Sequence, residues 1–210
     1  MLNYQKLYDL LFNEYGNQYW WPADTFDEII IGAVLTQNTA WTNVEKAIYN
    51  LKKADVCALQ AITNTSESKI AQLIKPSGYF NIKAKRLKTV AQSILNYNFQ
   101  EKDIEENREY LLNIKGVGPE TADSILLYAM QLPVFVVDTY TIRLFKRLGF
   151  SLKDFKYHTL QSDIMIKMKR DVNVFNEYHA LIVNHCKYLC KAKPDCNKCF
   201  LIDFCNQNEV

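Results

Sequence analysis

Apolar residues recur at three- and four-residue spacing along nearly the whole chain, the period of helices that bury one face. The stretches that carry it are 4–15 (YQKLYDLLFNEY), 25–37 (TFDEIIIGAVLTQ), 42–54, 67–74, 84–97, 108–114, 120–130, 139–149 and 176–190. The two-residue alternation of a half-buried strand is weak throughout. Only 134–139 (VFVVDT) is rich in β-branched residues, and it is short, follows Pro133 and leads into a helix, so it predicts an extended connector. The pattern predicts an all-α protein of about ten short helices. Breaks fall at Gly16, Pro22, 76–81 (PSGYFN), 116–119 (GVGP) and 132–135 (LPVF), each a glycine or proline turn signal. There is no internal repeat, low-complexity tract or flexible linker, so two domains would have to share a chain that crosses tightly between them.

At 210 residues and 49% hydrophobic content the chain can bury an ordinary core in one large domain or two small ones. No stretch approaches the roughly 20 apolar residues of a membrane span, and the N-terminus has acids and no small-residue cleavage site, which predicts a soluble cytoplasmic protein. The balance of 25 basic against 23 acidic residues is too even to announce nucleic-acid binding, so such a partner must be met by local patches. Residues 81–88 (NIKAKRLK), 145–149, 166–170 and the group Lys187, Lys191, Lys193 and Lys198 are basic, whereas 101–109 is acidic.

Five of the six cysteines lie in the last 25 residues, which argues against a disulfide framework and for a local ligand cluster. Cys190, Cys196, Cys199 and Cys205 are separated by five, two and five residues, directly after a helix. Short loops let each of four thiolates reach a different corner of a cube-shaped [4Fe-4S] cluster. Structural zinc usually takes two Cys-x-x-Cys pairs, and here only Cys196 and Cys199 form one. Cys186, one turn before Cys190, reads as a helical core thiol that could compete as a ligand, and Cys57 as a small buried hydrophobe.

Two of only six glycines stand one residue apart in 111–122 (LLNIKGVGPETA), at the start of a helix. Glycine permits torsions that other residues resist and leaves amides uncovered, so this turn is a candidate phosphate site aided by the helix dipole.

The chain resembles the endonuclease III branch of the helix-hairpin-helix DNA glycosylases, nearly collinearly over its length. The residues that carry the resemblance are the hairpin LLNIKGVGPETA, VVDTYTIR with Asp138, LTQNT (35–39), GYFNIKAKRL (78–87) and the cysteine tail from His185. The first cysteine gap is one residue shorter than in the best-known members. The resemblance implies a six-helix barrel over about 21–133, with the hairpin at about 105–130, and a cluster domain formed by 1–20 with 134–210, the DNA cleft lying between them. It implies that Lys115, Gly116, Val117 and Gly118 hold a backbone phosphate, helped by a monovalent cation, and that the Lys191 and Lys193 loop, braced by the cluster, meets phosphates too. Gln37 would fill the space left by an extruded base, and Tyr79 would wedge the opposite strand. Asp138, an N-cap by position, would stabilise positive charge growing on the sugar and orient the attacking group.

Bifunctional members carry a lysine at the place equivalent to Glu120, whose amine forms the Schiff base that leads to strand cleavage. A carboxylate cannot form that imine, so base removal by water is expected, with strand-cleaving lyase activity absent or weak. Glutamate here, with WWPA (20–23) and LTQNTAW (35–41), is most similar to the bacterial 3-methyladenine glycosylases of this type. That implies a pocket in which Trp21 and Trp41 sandwich a cationic alkylated purine, with Trp20 and Pro22 at its edge. The expected partner is double-stranded DNA with a damaged base, bound by a monomer at the nucleoid. The alternatives are a glycosylase for oxidised pyrimidines or mismatched bases, and a non-catalytic iron–sulfur DNA-binding module.

Overall fold

The computed structural model describes residues 2–207; Met1 and 208–210, the ends of the expected cluster domain, lie outside them. Among the described residues there are eleven α-helices and no strand. In order they are α1 (Tyr4–Tyr15), α2 (Phe26–Leu35), α3 (Trp41–Lys53), α4 (Leu59–Asn64), α5 (Glu67–Leu73), α6 (Phe80–Leu95), α7 (Ile104–Asn113), α8 (Pro119–Ser124), α9 (Thr139–Leu148), α10 (Tyr157–Lys167) and α11 (Val172–Tyr188). The chain divides into two compact units, 1–21 with 133–210, and 22–132.

In the second unit α6 packs against α4 and α5, and α2 packs against α3, α6 and the turn that continues α8. That turn, Ile125–Ala129, is π-helical. Residues Thr121–Tyr128 are all buried, so this segment is the central helical rod of the unit. α2 ends at Leu35, two residues before the periodicity predicts, where the Thr36 hydroxyl turns back to donate to the Gly32 carbonyl at 2.6 Å. α6 starts earlier than predicted, at Phe80, because Tyr79 takes a left-handed backbone (φ 44°) that turns the chain directly into the helix.

The first unit packs α11 against α1 and α9. Its core is aromatic: Phe145 meets Tyr4 edge-on at 5.2 Å, and Tyr178 meets Phe135 at 5.7 Å. Residues 134–137 are the predicted extended connector, and all four side chains are buried. Gln161 Nε2 donates to the Phe135 carbonyl at 2.7 Å, which satisfies a buried backbone acceptor that a strand neighbour would otherwise have to meet. The periodicity did not predict α4 or α10. The first is only six residues long, and the second is held by few buried side chains, Leu160, Gln161 and Ile164.

Candidate active site

Asp138 caps α9, and its two oxygens face different partners. Oδ1 accepts from the Thr141 amide and the Thr141 hydroxyl, both at 2.7 Å, in a reciprocal capping box. Oδ2 faces His179 Nε2 at 3.6 Å, an ion-pair distance, and the carboxylate side chain is 12% exposed. Burial pushes the carboxyl up, but the His179 imidazole and the Thr141 donors outweigh it and hold the group below its ordinary 3.8. Asp138 is therefore an anion held in a largely dry place, with one oxygen fixed in the cap and the other facing an imidazole. His179 was not singled out from sequence; a lone histidine inside a long amphipathic helix carries no signal of its own.

The hairpin runs from α7 through Lys115–Gly118 into α8. Gly116 has φ +93°, and a β-carbon there would overlap the Arg86 side chain, with Arg86 Cδ at 2.8 Å. The positive φ favours glycine at 116, and a larger residue would also have to displace the Arg86 side chain. Gly118 departs from expectation. Its φ of −100° and ψ of 177° suit any residue, and a β-carbon would meet nothing within 4 Å. Lys115, Gly116, Gly118 and Glu120 are exposed, whereas Val117 is buried and its amide already donates to the Ile114 carbonyl at 3.0 Å. Arg108 braces the hairpin from α7, with Nε 2.6 Å and Nη2 3.1 Å from the two oxygens of the buried Asp123.

The loop after α2 meets the hairpin. Gln37 Nε2 donates to the Gly116 carbonyl at 3.1 Å and to the Thr121 hydroxyl at 2.9 Å, and Arg86 donates to Gln37 Oε1. The Gln37 amide is therefore engaged inside the protein. The exposed tip of that loop is its neighbour Asn38, in the left-handed region at φ +53°. On the second loop Tyr79 is 69% exposed, and Ile82 beside it on the first turn of α6 is 58% exposed, so the pair forms an apolar projection that sequence reading saw only in part.

Trp20 and Trp21, both half-buried in the first unit, pack edge to face at 5.5 Å. Pro22 and Trp41 belong to the second unit, where Trp41 opens α3 and its indole donates to Glu45 Oε1 at 3.0 Å.

The four tail cysteines, Cys190, Cys196, Cys199 and Cys205, line one cavity with Leu144, Leu148 and Leu201. Arg147 Nη1 donates to Cys190 Sγ at 3.4 Å and the Gln207 amide to Cys205 Sγ at 3.3 Å, and His185 Nε2 lies 3.7 Å from Cys199 Sγ. The Cys186 thiol and the arginines Arg147 and Arg143 hold the Cys190 thiol below the ordinary range, against its burial. Burial pushes Cys199 and Cys205 up. Among the described residues no three or more His, Cys, Asp or Glu side chains converge as a single metal ion requires. The four thiols nonetheless line one common cavity, and thiolate is the donor type that zinc and iron–sulfur centres use. Cys186 is buried off that cavity and donates to the Tyr140 carbonyl at 3.5 Å, while Cys57 is half-buried rather than fully so. Lys191 and Lys193 stand exposed beside the cysteines.

An all-helical fold with a Gly-x-Gly hairpin, a capped carboxylate twenty residues downstream and four cysteines round one cavity has the parts of a helix-hairpin-helix DNA glycosylase. A family model described as HhH-GPD superfamily base excision DNA repair protein matches residues 31–169, and the chain belongs to that family. It is 47% identical over 207 residues, 95% of this chain and 94% of the relative, to a Methanocaldococcus jannaschii protein provisionally named a DNA repair glycosylase (MJ1434). The H. pylori 3-methyladenine DNA glycosylase MagIII, solved with 1,N6-ethenoadenine, superposes with a TM-score of 0.73 at 32% identity, covering 89% of this chain and 98% of that one. A trapped endonuclease III–DNA complex superposes with a TM-score of 0.82 over 99% of this chain and 97% of that one, at 22% identity, a likeness of fold.

Proposed function

We propose that this glycosylase binds damaged double-stranded DNA as a monomer and removes alkylated purines, 3-methyladenine among them, with water as nucleophile and without cutting the strand. The observation that carries this reading is the exposed carboxylate of Glu120 in the first turn of α8, where lyase chemistry would need an amine. Asp138 supplies the charge: its anion stabilises the positive sugar as the glycosidic bond stretches, and Oδ2 orients or deprotonates the water. An alkylated purine is already cationic and leaves readily, so no strong general acid is needed. Aromatic faces such as those of Trp20 and Trp21 in the one unit, and of Trp41 with Pro22 in the other, prefer such a base by about 1 to 2 kcal/mol. The 32% identity to MagIII supports this substrate class.

The hairpin residues Lys115, Gly116 and Gly118 hold phosphate without reading sequence, with a monovalent cation as helper. The open space at Gly118 leaves room for a phosphate to approach. Tyr79 with Ile82, and Asn38 supported by Gln37, fill the stack when the base leaves. Cys190, Cys196, Cys199 and Cys205 would hold a [4Fe-4S] cluster, which braces the Lys191–Lys193 loop against the DNA backbone.

A second reading, excision of oxidised pyrimidines, is favoured by a 30% identity over 179 residues to endonuclease III of Sulfolobus acidocaldarius, covering 84% of this chain and 79% of that one. Release of free base from methylated, oxidised and mismatched duplexes separates the two. Excision of thymine glycol with no release of 3-methyladenine overturns the proposal.

A further inference from the structure

Lys83 lies in α6 and is 1% exposed, a burial that an ammonium group tolerates only with good partners. Among the described residues no carboxylate pairs with it. Its three protons go instead to three acceptors: the Leu35 carbonyl at 2.7 Å, the Thr39 hydroxyl at 2.7 Å and the Ser77 carbonyl at 2.8 Å. The Thr39 hydroxyl passes its own proton to the same Ser77 carbonyl at 2.5 Å. Burial, and then the charge of Arg86, push the Lys83 amine down to about 8, so the ammonium form still predominates at neutral pH.

The acceptors come from two separate loops. Leu35 and Thr39 flank the loop whose tip is Asn38, and Ser77 stands two residues before Tyr79. Both tips are non-glycine residues in the left-handed region, Asn38 at φ +53° and Tyr79 at φ +44°. Such conformations persist where the surroundings hold them. α6 grips the same loop again one turn on, where Arg86 donates to Gln37 Oε1. A methionine would fill the space occupied by the Lys83 stem, but only an ammonium can join three oxygens from two loops at one point.

We propose that Lys83 is a positioning residue whose ammonium locks the Asn38 tip and the Tyr79 tip into one preset unit, so that both enter the DNA stack together. The proposal rests on the glycosylase reading above, in which both tips enter DNA.

The test is a double-mutant cycle of Asn38→Ala and Tyr79→Ala, run with Lys83 and again with Lys83→Met. Single-turnover base release, DNA affinity and melting temperature are measured for each protein. With Lys83 present the two tips act as a unit, and the double variant falls no more than about threefold below the worse single. With Lys83→Met the two losses multiply. That variant alone slows base release by on the order of tenfold or more while DNA affinity changes by less than about threefold. Thr39→Val removes one acceptor and the bridge to Ser77 while keeping the buried lysine, and supplies the same comparison if Lys83→Met does not fold. Coupling that survives both Lys83→Met and Thr39→Val overturns the proposal and leaves the glycosylase reading intact. If neither Asn38→Ala nor Tyr79→Ala slows base release, the reading of both loops fails and the proposal falls with it.

Discussion

Asp138 holds its helix with one oxygen and faces His179 with the other, so its structural role and its proposed chemical role separate by substitution. Asp138→Asn keeps an oxygen acceptor for the Thr141 amide and hydroxyl, both now at 2.7 Å, but removes the charge. Asparagine caps as well as aspartate, and the weaker uncharged hydrogen bonds cost about 0.5 to 1 kcal/mol. Asp138→Ala removes the acceptor too and costs about 1 to 2 kcal/mol. In a chain of this size each kcal/mol lowers the melting temperature by roughly 2 to 4 °C, so the alanine variant melts measurably below the asparagine one. Catalysis responds to charge alone: both variants lose on the order of a hundred- to a thousandfold in single-turnover base release, the effect of removing one preorganised electrostatic partner. Melting curves and base release from methylated duplex, measured on the same preparations, check both halves. An asparagine variant within about threefold of the parent, or activity that follows melting temperature instead of charge, refutes the catalytic assignment.

The pH dependence has a definite sign. The folded Asp138 carboxyl lies below 3.8, so its contribution to stability is present above that pH and is lost as pH falls through the folded value; below pH 3.8 the melting gap between the parent and Asp138→Asn should close, and a gap that widens there contradicts the buried-carboxylate account. Gly116→Ala meets both a positive φ and the Arg86 side chain and should destabilise by about 1 to 3 kcal/mol. Gly118→Ala should leave melting unchanged and weaken DNA binding, measured by fluorescence anisotropy; unchanged binding removes the phosphate role from Gly118. Purified protein should carry about four irons per chain, and Cys199→Ser should lose both the iron and the visible charge-transfer absorbance; a stoichiometric zinc content instead rejects the cluster.

What the sequence made legible followed from patterns that repeat. Helical periodicity marked most helices, and the glycine, aspartate and cysteine motifs marked where the hairpin turn, the α9 cap and the thiol-lined cavity fall, because each rests on residue types that few others can replace. What escaped it depends on contacts distant in the chain. α10 has little periodicity and holds its place through a few residues such as Gln161, which serves a carbonyl 26 positions away. Gln37 and Asn38 are adjacent polar residues, and only the folded partners Gly116, Thr121 and Arg86 show which of them turns inward. Gly118 matched its neighbour Gly116 in sequence, yet their torsions differ in kind. Lys83 looked like one charge in a basic run, and folding makes it the most deeply buried lysine of that run, joining two loops.

Base release and strand integrity, followed in time on one methylated duplex, test the central claim most directly. Free 3-methyladenine should accumulate while the strand stays whole until alkali is added, and borohydride should trap no covalent protein–DNA adduct. A strand that breaks in step with base release, or a trapped adduct, would contradict the account.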